Sequence, residues 1–203
     1  MKDQYTKLIN KTVWVVIILF IIRCLVSWGT LIEGFSAYDI YGYAGEAIGV
    51  TAIIISCYER WLWKYNPLED TPVLKKHYKG TIESTYDGII REANLEIRQT
   101  LLSVHVTLVS GESKSKSISS SIDDILGEKQ LTYCYLNTPK ASFRDRSEIH
   151  YGTAILCIDN PNILNGQYFS DRKTTGDMLF YPNSNNITKF GKENNNEINN
   201  GAI

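Results

Sequence analysis

The residues best suited to bind a ligand lie in the segment 166–181, near the C-terminal end of the chain. Its sequence, GQYFSDRKTTGDMLFY, places a polar turn between two predicted strands. The turn offers a guanidinium, an ammonium, two hydroxyls and a glycine, on residues Arg172, Lys173, Thr174, Thr175 and Gly176. Such side chains and nearby backbone amides bind phosphate groups. A solvated hairpin tip is the competing interpretation, and the residues alone leave both open.

Two tyrosines offer an aromatic surface for the same ligand. Tyr133 and Tyr135 stand two residues apart in LTYCYLN, so they share one face of a predicted strand. Aromatic rings on a strand face can stack on nucleobases. Core aromatics would show the same spacing, so this too stays a hypothesis.

Catalytic and metal-binding motifs are missing from the sequence. It contains neither G-x-S-x-G nor H-E-x-x-H, and no phosphate-binding glycine loop between a strand and a helix. The three histidines are scattered over separate predicted strands, and the four cysteines form no CxxC pair. We therefore predict no enzyme activity and no metal or other cofactor. A net charge of −1 also argues against binding of DNA or RNA polymers.

Two apolar runs near the N-terminus precede the part of the chain that contains these residues. The first covers 13–32 and the second 42–63, joined by the short segment 33–41. About 20 apolar residues suffice for a helix to cross a bilayer, so the runs predict a transmembrane helical hairpin. A buried helix pair, or a signal peptide formed by the first run, is the alternative. A second run that follows at once disfavours the signal peptide.

Basic residues set the predicted orientation of the hairpin. They cluster in the N-terminal segment 1–12 and from Arg60 onward, whereas the joint 33–41 has none. The positive-inside rule therefore places both termini in the cytoplasm.

Two charges interrupt the apolar runs, Arg23 in the first and Glu46 in the second. A charge within a bilayer is costly unless it is paired or hydrated. Counted from opposite ends of a hairpin, the two residues are offset by several positions, with Glu46 nearer the outer surface. One interpretation is that the charges snorkel to the membrane surface. The other is that a second copy of the hairpin satisfies them, which predicts homo-oligomers.

The rest of the chain predicts an all-β domain. Residues 64–72 form a proline-containing connector, and from His77 onward apolar residues alternate with polar ones, as in 93–99 and 102–108. We count about eight strands within 73–182, with a short polar helix or turn at 122–128. Eight sequential strands predict an antiparallel up-and-down β-barrel, because closure removes the exposed edges. A two-sheet sandwich is the alternative, and the Asn-rich segment 183–203 predicts a disordered tail.

The assembled pattern resembles a known family over most of the chain. After the two apolar runs come WKYNPLEDTPVLKKHYKGTIES, LTYCYLNTP, HYGTAILCID and LNGQYFSDRKTTGDMLFY. In this order they look like the two-transmembrane β-barrel effectors associated with bacterial CD-NTase enzymes, which act in cyclic-oligonucleotide anti-phage signalling (CBASS).

The resemblance implies a function for each part of the chain. The cytoplasmic barrel would bind a cyclic dinucleotide made by a partner CD-NTase. The protein would then assemble in the inner membrane, and its hairpins would disrupt the lipid bilayer and kill or arrest the infected cell. Three alternatives remain: a tethered barrel for an apolar ligand, a scaffold for a partner protein, and a hydrolase with an unrecognised site.

Overall fold

The computed structural model describes residues 2–27, 36–145, 147–159 and 163–183. Two helices come first, α1 (Lys2–Val26) and α2 (Ala37–Arg60), followed by a 3₁₀ turn at Leu62–Tyr65. The stretches Gln4–Val26 and Ala37–Arg60 are long and apolar enough to cross a membrane. Both helices begin before the predicted runs, α1 at Lys2 and α2 at Ala37, whereas α2 ends at Arg60, before the predicted end at residue 63. Part of the first predicted run, and part of the joint, lie outside the described residues.

A capping box explains why α2 begins earlier than predicted. The Asp39 carboxylate accepts a hydrogen bond from the Ser36 backbone N–H at 3.1 Å, while the Ser36 hydroxyl accepts one from the first helical turn. Such reciprocal bonds satisfy amides that a helix leaves free at its N-terminus. Residues 37–41, predicted to belong to the joint, are therefore helical.

The two charges within the apolar helices, Arg23 and Glu46, pair within one chain. Arg23 Nε donates a hydrogen bond to Glu46 Oε2 at 2.7 Å, and the guanidinium lies 4.5 Å from the centre of the Tyr43 ring. Arg23 also donates to the Ser27 hydroxyl. The predicted offset therefore does not keep the two side chains apart, and neither charge needs a second copy for its neutralisation.

Eight antiparallel strands form a closed up-and-down barrel. They are β1 (His77–Ser84), β2 (Ile90–Gln99), β3 (Val104–Ser110), β4 (Ser113–Ile125), β5 (Glu128–Pro139), β6 (His150–Asp159), β7 (Ile163–Ser170) and β8 (Thr175–Pro182). Each strand pairs with its sequence neighbours, and β8 closes on β1. The predicted fold is confirmed, and the sandwich alternative is wrong.

The segment 122–128 is not the helix or turn that its polar sequence suggested. β4 continues to Ile125 and pairs with β5 up to Ile125 and Glu128, so that residues 126–127 alone make the turn. Inside the barrel Ile122 is buried, which holds this part of β4 in the ladder although serine and aspartate favour strands poorly. A bulge interrupts the β4–β5 register between Ser117 and Ser119.

The hairpin packs against one end of the barrel. Leu8 of α1, Trp63 and Leu101 of the β2–β3 loop form a small buried cluster. The Leu101 backbone N–H donates to the Glu59 carbonyl at 3.0 Å, which ties the loop to the end of α2. The barrel end that contains the β2–β3 and β4–β5 turns is called the base below. The opposite end is called the mouth.

The base half of the barrel interior is filled by apolar side chains. The fully buried ones, each with 0% exposure, are Tyr78, Leu131, Ala154, Leu156, Leu164 and Phe180. An eight-stranded barrel has an interior just wide enough for such filling. The base is therefore a packed core that closes the barrel on the side of the hairpin. Apart from Asn183, the predicted tail lies outside the described residues.

Candidate functional site

A cavity opens at the mouth, at the end of the barrel away from the hairpin. It has a volume of about 180 Å³ and is lined by residues from β1 to β8 and from the β1–β2, β3–β4, β5–β6 and β7–β8 connections. Its position follows from the topology, because an up-and-down barrel brings alternate turns to one end.

The mouth is polar because three inward-facing stripes change character along their strands. On β2, β3 and β5, alternate residues run from apolar at the base to polar at the mouth. The stripes end in Arg91, Ser110 and Asn137. Ser115 on β4 donates a buried hydrogen bond of 2.8 Å to Asn137 Oδ1. The interior therefore changes from a hydrophobic core to a polar pocket without any break in the alternation.

The floor of the pocket is aromatic. The Tyr133 and Tyr135 rings are tilted by 49°, with centroids 5.9 Å apart. Burial raises the pKa of both phenols, so both are protonated at neutral pH. The Tyr133 hydroxyl is buried without a hydrogen-bond partner among the described residues. A buried phenol without a partner costs free energy, of the order of 1–3 kcal/mol, which a polar ligand group could recover.

Two glycines make room for these rings. A Cβ placed on Gly152 would lie 2.4 Å from Tyr135 Cζ, and one on Gly176 would lie 2.5 Å from Tyr168 Cε1. The Tyr135 ring of β5 therefore lies over Gly152 of β6, and the Tyr168 ring of β7 lies over Gly176 of β8. Both rings line the pocket.

Arg91 is the most strongly held cation of the pocket. Its guanidinium donates two hydrogen bonds to Asp87, of 2.5 and 3.0 Å, and Nε lies 3.4 Å from Glu112 Oε2. The hydrogen bonds with Asp87, together with the charge of Glu112, raise the pKa of Arg91. The two carboxylates belong to the β1–β2 and β3–β4 connections, so this ion-pair group joins two loops of the mouth.

Arg172 lies at the rim, in the turn between β7 and β8. Its Nη1 donates to the Ser147 hydroxyl at 2.9 Å, and the Ser170 and Thr174 hydroxyls lie 2.7 Å apart at the ends of the same turn. Lys173, which occupies the tip, has a φ of 60°. The turn therefore presents the Arg172 guanidinium and the Thr174 hydroxyl to the pocket.

The structure brings four of the six predicted ligand residues to one pocket, namely Tyr133, Tyr135, Arg172 and Thr174. Thr175 and Gly176 do not line it. They begin β8 instead of belonging to the turn, and the Thr175 backbone N–H donates to the Thr85 hydroxyl at 3.2 Å. Gly176 pairs with Ser84 in the ladder.

Sequence reasoning missed several polar pocket residues, among them Arg91, Asn137 and His150. Arg91 continues the alternation of Ala93, Leu95 and Ile97, so the signal was present one step before the predicted strand began. His150, whose Nδ1 lies 2.8 Å from the Glu148 carbonyl, gave no such signal. Within the described residues, no three His, Cys, Asp or Glu side chains form a group that could hold a metal ion.

Fold and pocket together define a class of protein: a small antiparallel β-barrel with one polar, aromatic-floored mouth, carried on two helices that could span a membrane. Residues 70–181 match the family described as Cap15, cyclic dinucleotide receptor domain. A relative in Staphylococcus schleiferi, CD-NTase-associated protein 15, is 32% identical over 185 residues, which cover 88% of this chain and 97% of the relative. The chain belongs to the Cap15 family, whose description is that of a receptor and not of an enzyme.

Proposed function

We propose that the barrel mouth binds a cyclic dinucleotide and that the whole chain is a cell-death effector in CBASS anti-phage defence. One observation carries the proposal: in a chain of the Cap15 family, two arginines and a group of tyrosines line the same open pocket. A cyclic dinucleotide offers two phosphates and two bases. Arginine matches the first in charge and geometry, and aromatic rings match the second.

The ion pairs of Arg91 determine how an anionic ligand enters. Asp87 and Glu112 already neutralise this guanidinium, so a phosphate that approaches it competes with two carboxylates. Binding then exchanges carboxylate for phosphate on Arg91 and loosens the contact between the two loops. Arg172 at the rim, whose Nη1 donates to the Ser147 hydroxyl, is the candidate for the other phosphate.

The hairpin supplies the effector step. The pocket lies at the end of the barrel away from the helices, so the ligand does not reach the membrane itself. Ligand binding favours an assembled state of the protein in the bacterial inner membrane, with both termini in the cytoplasm. A ligand drives such assembly only if it binds the assembled state more tightly than the single chain. Packed hairpins then disrupt the bilayer.

Arg23 and Glu46 have a different role in this account from the one first expected. Because they neutralise each other within the chain, assembly does not arise from unpaired charge. We propose that contacts between copies exchange the partners of this pair, so that the same charges align neighbouring hairpins. Their side chains are 37% and 55% exposed in the single chain, which leaves them accessible to a neighbour.

Release of a trapped dye tests this function. The full chain is inserted into vesicles of bacterial phospholipids, and a panel of cyclic dinucleotides is added outside. We expect release with at least one member, together with a larger particle size after solubilisation in detergent. Release without any nucleotide, or none with the whole panel, would contradict the effector role.

A second arm separates binding from the membrane step. Arg23→Leu leaves Glu46 without its partner in the helix pair, so we expect dye release to fall while the affinity for the cyclic dinucleotide is unchanged. Glu46→Gln serves as the reciprocal variant. Unchanged dye release in both variants would remove the pair from the assembly mechanism.

A further inference from the structure

The turn between β4 and β5 presents a leucine in an unfavourable setting. Leu126 is 100% exposed and has a φ of 56°, and Gly127 follows with a φ of 87°. Positive φ at both central residues is typical of a type I′ turn, in which asparagine and glycine are preferred. A fully exposed leucine in this backbone conformation benefits neither the turn nor the core.

The β4–β5 hairpin extends beyond β3 at the base of the barrel, while β6 runs beside β5 as far as Asp159. β4 has 13 residues and β5 has 12, against 7 in β3. The Ser120 hydroxyl donates to the carbonyl of Val104, the first residue of β3, so residues 121–125 of β4 continue past the start of that strand. The tip is therefore the part of the hairpin that reaches furthest on the side of α1 and α2.

The direction of this extension follows from contacts with the helices. Residues 69–71 run along α1 in the opposite sense, with Thr71 bonded to Gln4 at 2.8 Å, Asp70 to Lys7 at 3.0 Å and Glu69 to Lys11 at 2.8 Å. Gln4 shares a cleft with Ser121 and Ile122, whereas Asp124 and Lys129 line the cleft that also includes Lys7. β4 therefore descends in the direction in which α1 approaches its apolar run.

The distances place Leu126 near the start of that run. Lys7 precedes residue 13 by six residues, about 9 Å at 1.5 Å per residue. Leu126 lies two residues beyond Asp124, about 7 Å at 3.3 Å per residue. Exposed apolar side chains of the connector lie at a similar level, including Leu68, which precedes the Lys11 partner Glu69 and is 85% exposed.

We propose that the tip of the β4–β5 hairpin, residues 125–127, inserts into the headgroup boundary of the bilayer that the hairpin helices span. The inference rests on the proposed membrane insertion of α1 and α2 but not on the cyclic dinucleotide. Leu126 contributes the apolar side chain, with Ile125 beside it at 45% exposure. Together with the helix junction, the tip fixes the barrel at a second point, so that its mouth faces away from the membrane.

The charges around the tip determine whether it is attracted to anionic lipids. Asp123, Asp124 and Glu128 surround it, and Lys129 is paired with Asp124 at 3.0 Å. The hairpin therefore has no attraction for anionic headgroups, and its contact is apolar. Insertion into zwitterionic phosphatidylcholine is expected to be at least as good as insertion into anionic lipid.

Photo-crosslinking of the full chain in phosphatidylcholine vesicles tests the inference. A benzophenone amino acid replaces Leu126, and mass spectrometry identifies the adducts. Ile118, an exposed apolar residue higher on the same strand at 64% exposure, is the matched control, and Ile18 in the middle of α1 reports on membrane insertion. We expect lipid adducts from positions 126 and 18 and no lipid adduct from position 118.

The other outcomes overturn the proposal in distinguishable ways. A lipid adduct at position 18 but not at position 126 excludes the tip from the membrane. Crosslinks from position 126 to a second chain assign the leucine to an interface between copies. No adduct at either position contradicts the spanning helices as well.

A stability measurement excludes the remaining explanation, that Leu126 is present to hold the hairpin together. Leu126→Asn introduces the side chain that this turn prefers, so we expect the Tm in detergent to stay equal or to rise. In vesicles the same variant is expected to lose protection of the tip from a water-soluble protease. A lower Tm in detergent would show that the leucine stabilises the folded chain and would overturn its assignment to lipid.

Discussion

The base and the mouth of the barrel interior are built by the same eight strands and yet behave as opposites. At the base, inward side chains such as Leu156 and Phe180 have no exposure and fill the space completely. At the mouth, the inward stripes of β2, β3 and β5 end in Arg91, Ser110 and Asn137, which line an open polar pocket. The comparison shows that one uninterrupted alternation can encode a stable core and a binding site at once, since only the residue types along each stripe change.

The mouth gives up stability that the base retains. Arg91 needs two carboxylates to remain in the barrel opening, and the Tyr133 hydroxyl lies buried without a partner in the part of the chain that the structure describes. Features of this kind are typical of sites in which a ligand completes the interactions. The two halves therefore differ in function because they differ in how far their polar groups are satisfied.

The largest effect is expected from a substitution at the base. Leu156→Ala removes a fully buried side chain, and the free energy of unfolding should fall by about 2–5 kcal/mol. Ser115→Ala at the mouth removes one hydrogen bond and should cost about 0.5–1.5 kcal/mol. Urea unfolding of the full chain in detergent measures both. Equal losses would show that the two halves contribute alike to stability.

A substitution of Arg91 tests the role of the mouth in ligand binding. Arg91→Gln removes the half-buried cation of the pocket. The binding free energy of the cyclic dinucleotide should weaken by about 1.5–3 kcal/mol, the range of hydrogen bonds to charged groups. Calorimetric titration measures the change. Arg98→Gln is the matched control, because Arg98 lies on the same strand but faces outward, with its side chain 75% exposed. Similar losses in both variants would mean that overall charge, and not the pocket, attracts the ligand.

Asp87→Asn tests whether Asp87 competes with the ligand for Arg91 or positions Arg91 for the ligand. The variant weakens the competitor of the ligand but keeps Arg91, so the affinity is expected to stay equal or to rise. A fall in affinity would show that Asp87 positions Arg91 for the ligand instead of competing with it.

Arg172 is expected to show a smaller effect, because its residue lies exposed at the rim. Arg172→Gln should weaken binding about tenfold, as the loss of one well-hydrated charged contact does. Lys173→Gln removes the same charge from the adjacent position of the turn and keeps a side chain of similar length at the positive φ. Binding that is equally weak in both variants would reduce the role of the turn to a general electrostatic one.

The sequence contained most of the barrel but not its register. Alternation predicted the strands because a filled barrel requires one inward residue in every two. It failed at 122–128, where serine and aspartate masked a strand that is held by long-range pairing with β5. Closure of β8 on β1 joins residues far apart in the sequence, and only the resemblance and the count of strands favoured it.

The site was predicted only in part, because local motifs are visible in the sequence whereas contacts between distant elements are not. Tyr133, Tyr135, Arg172 and Thr174 belong to motifs that are visible locally, and they meet in one pocket. Arg91 was missed because its strand was taken to begin at Ala93, although the inward stripe continues to Arg91. The 2.7 Å pairing of Arg23 with Glu46 depends on how two helices are aligned, which counting residues from their ends does not fix.

The central claim is that the polar mouth is a cyclic dinucleotide site, and one calorimetric titration tests it most directly. The full chain in detergent is titrated with a panel of cyclic dinucleotides and with a linear dinucleotide of the same bases. We predict saturable binding of at least one cyclic member, weaker binding of its linear counterpart, and a loss of affinity in Arg91→Gln but not in Arg98→Gln. Failure of every cyclic dinucleotide to bind the folded chain would contradict the account.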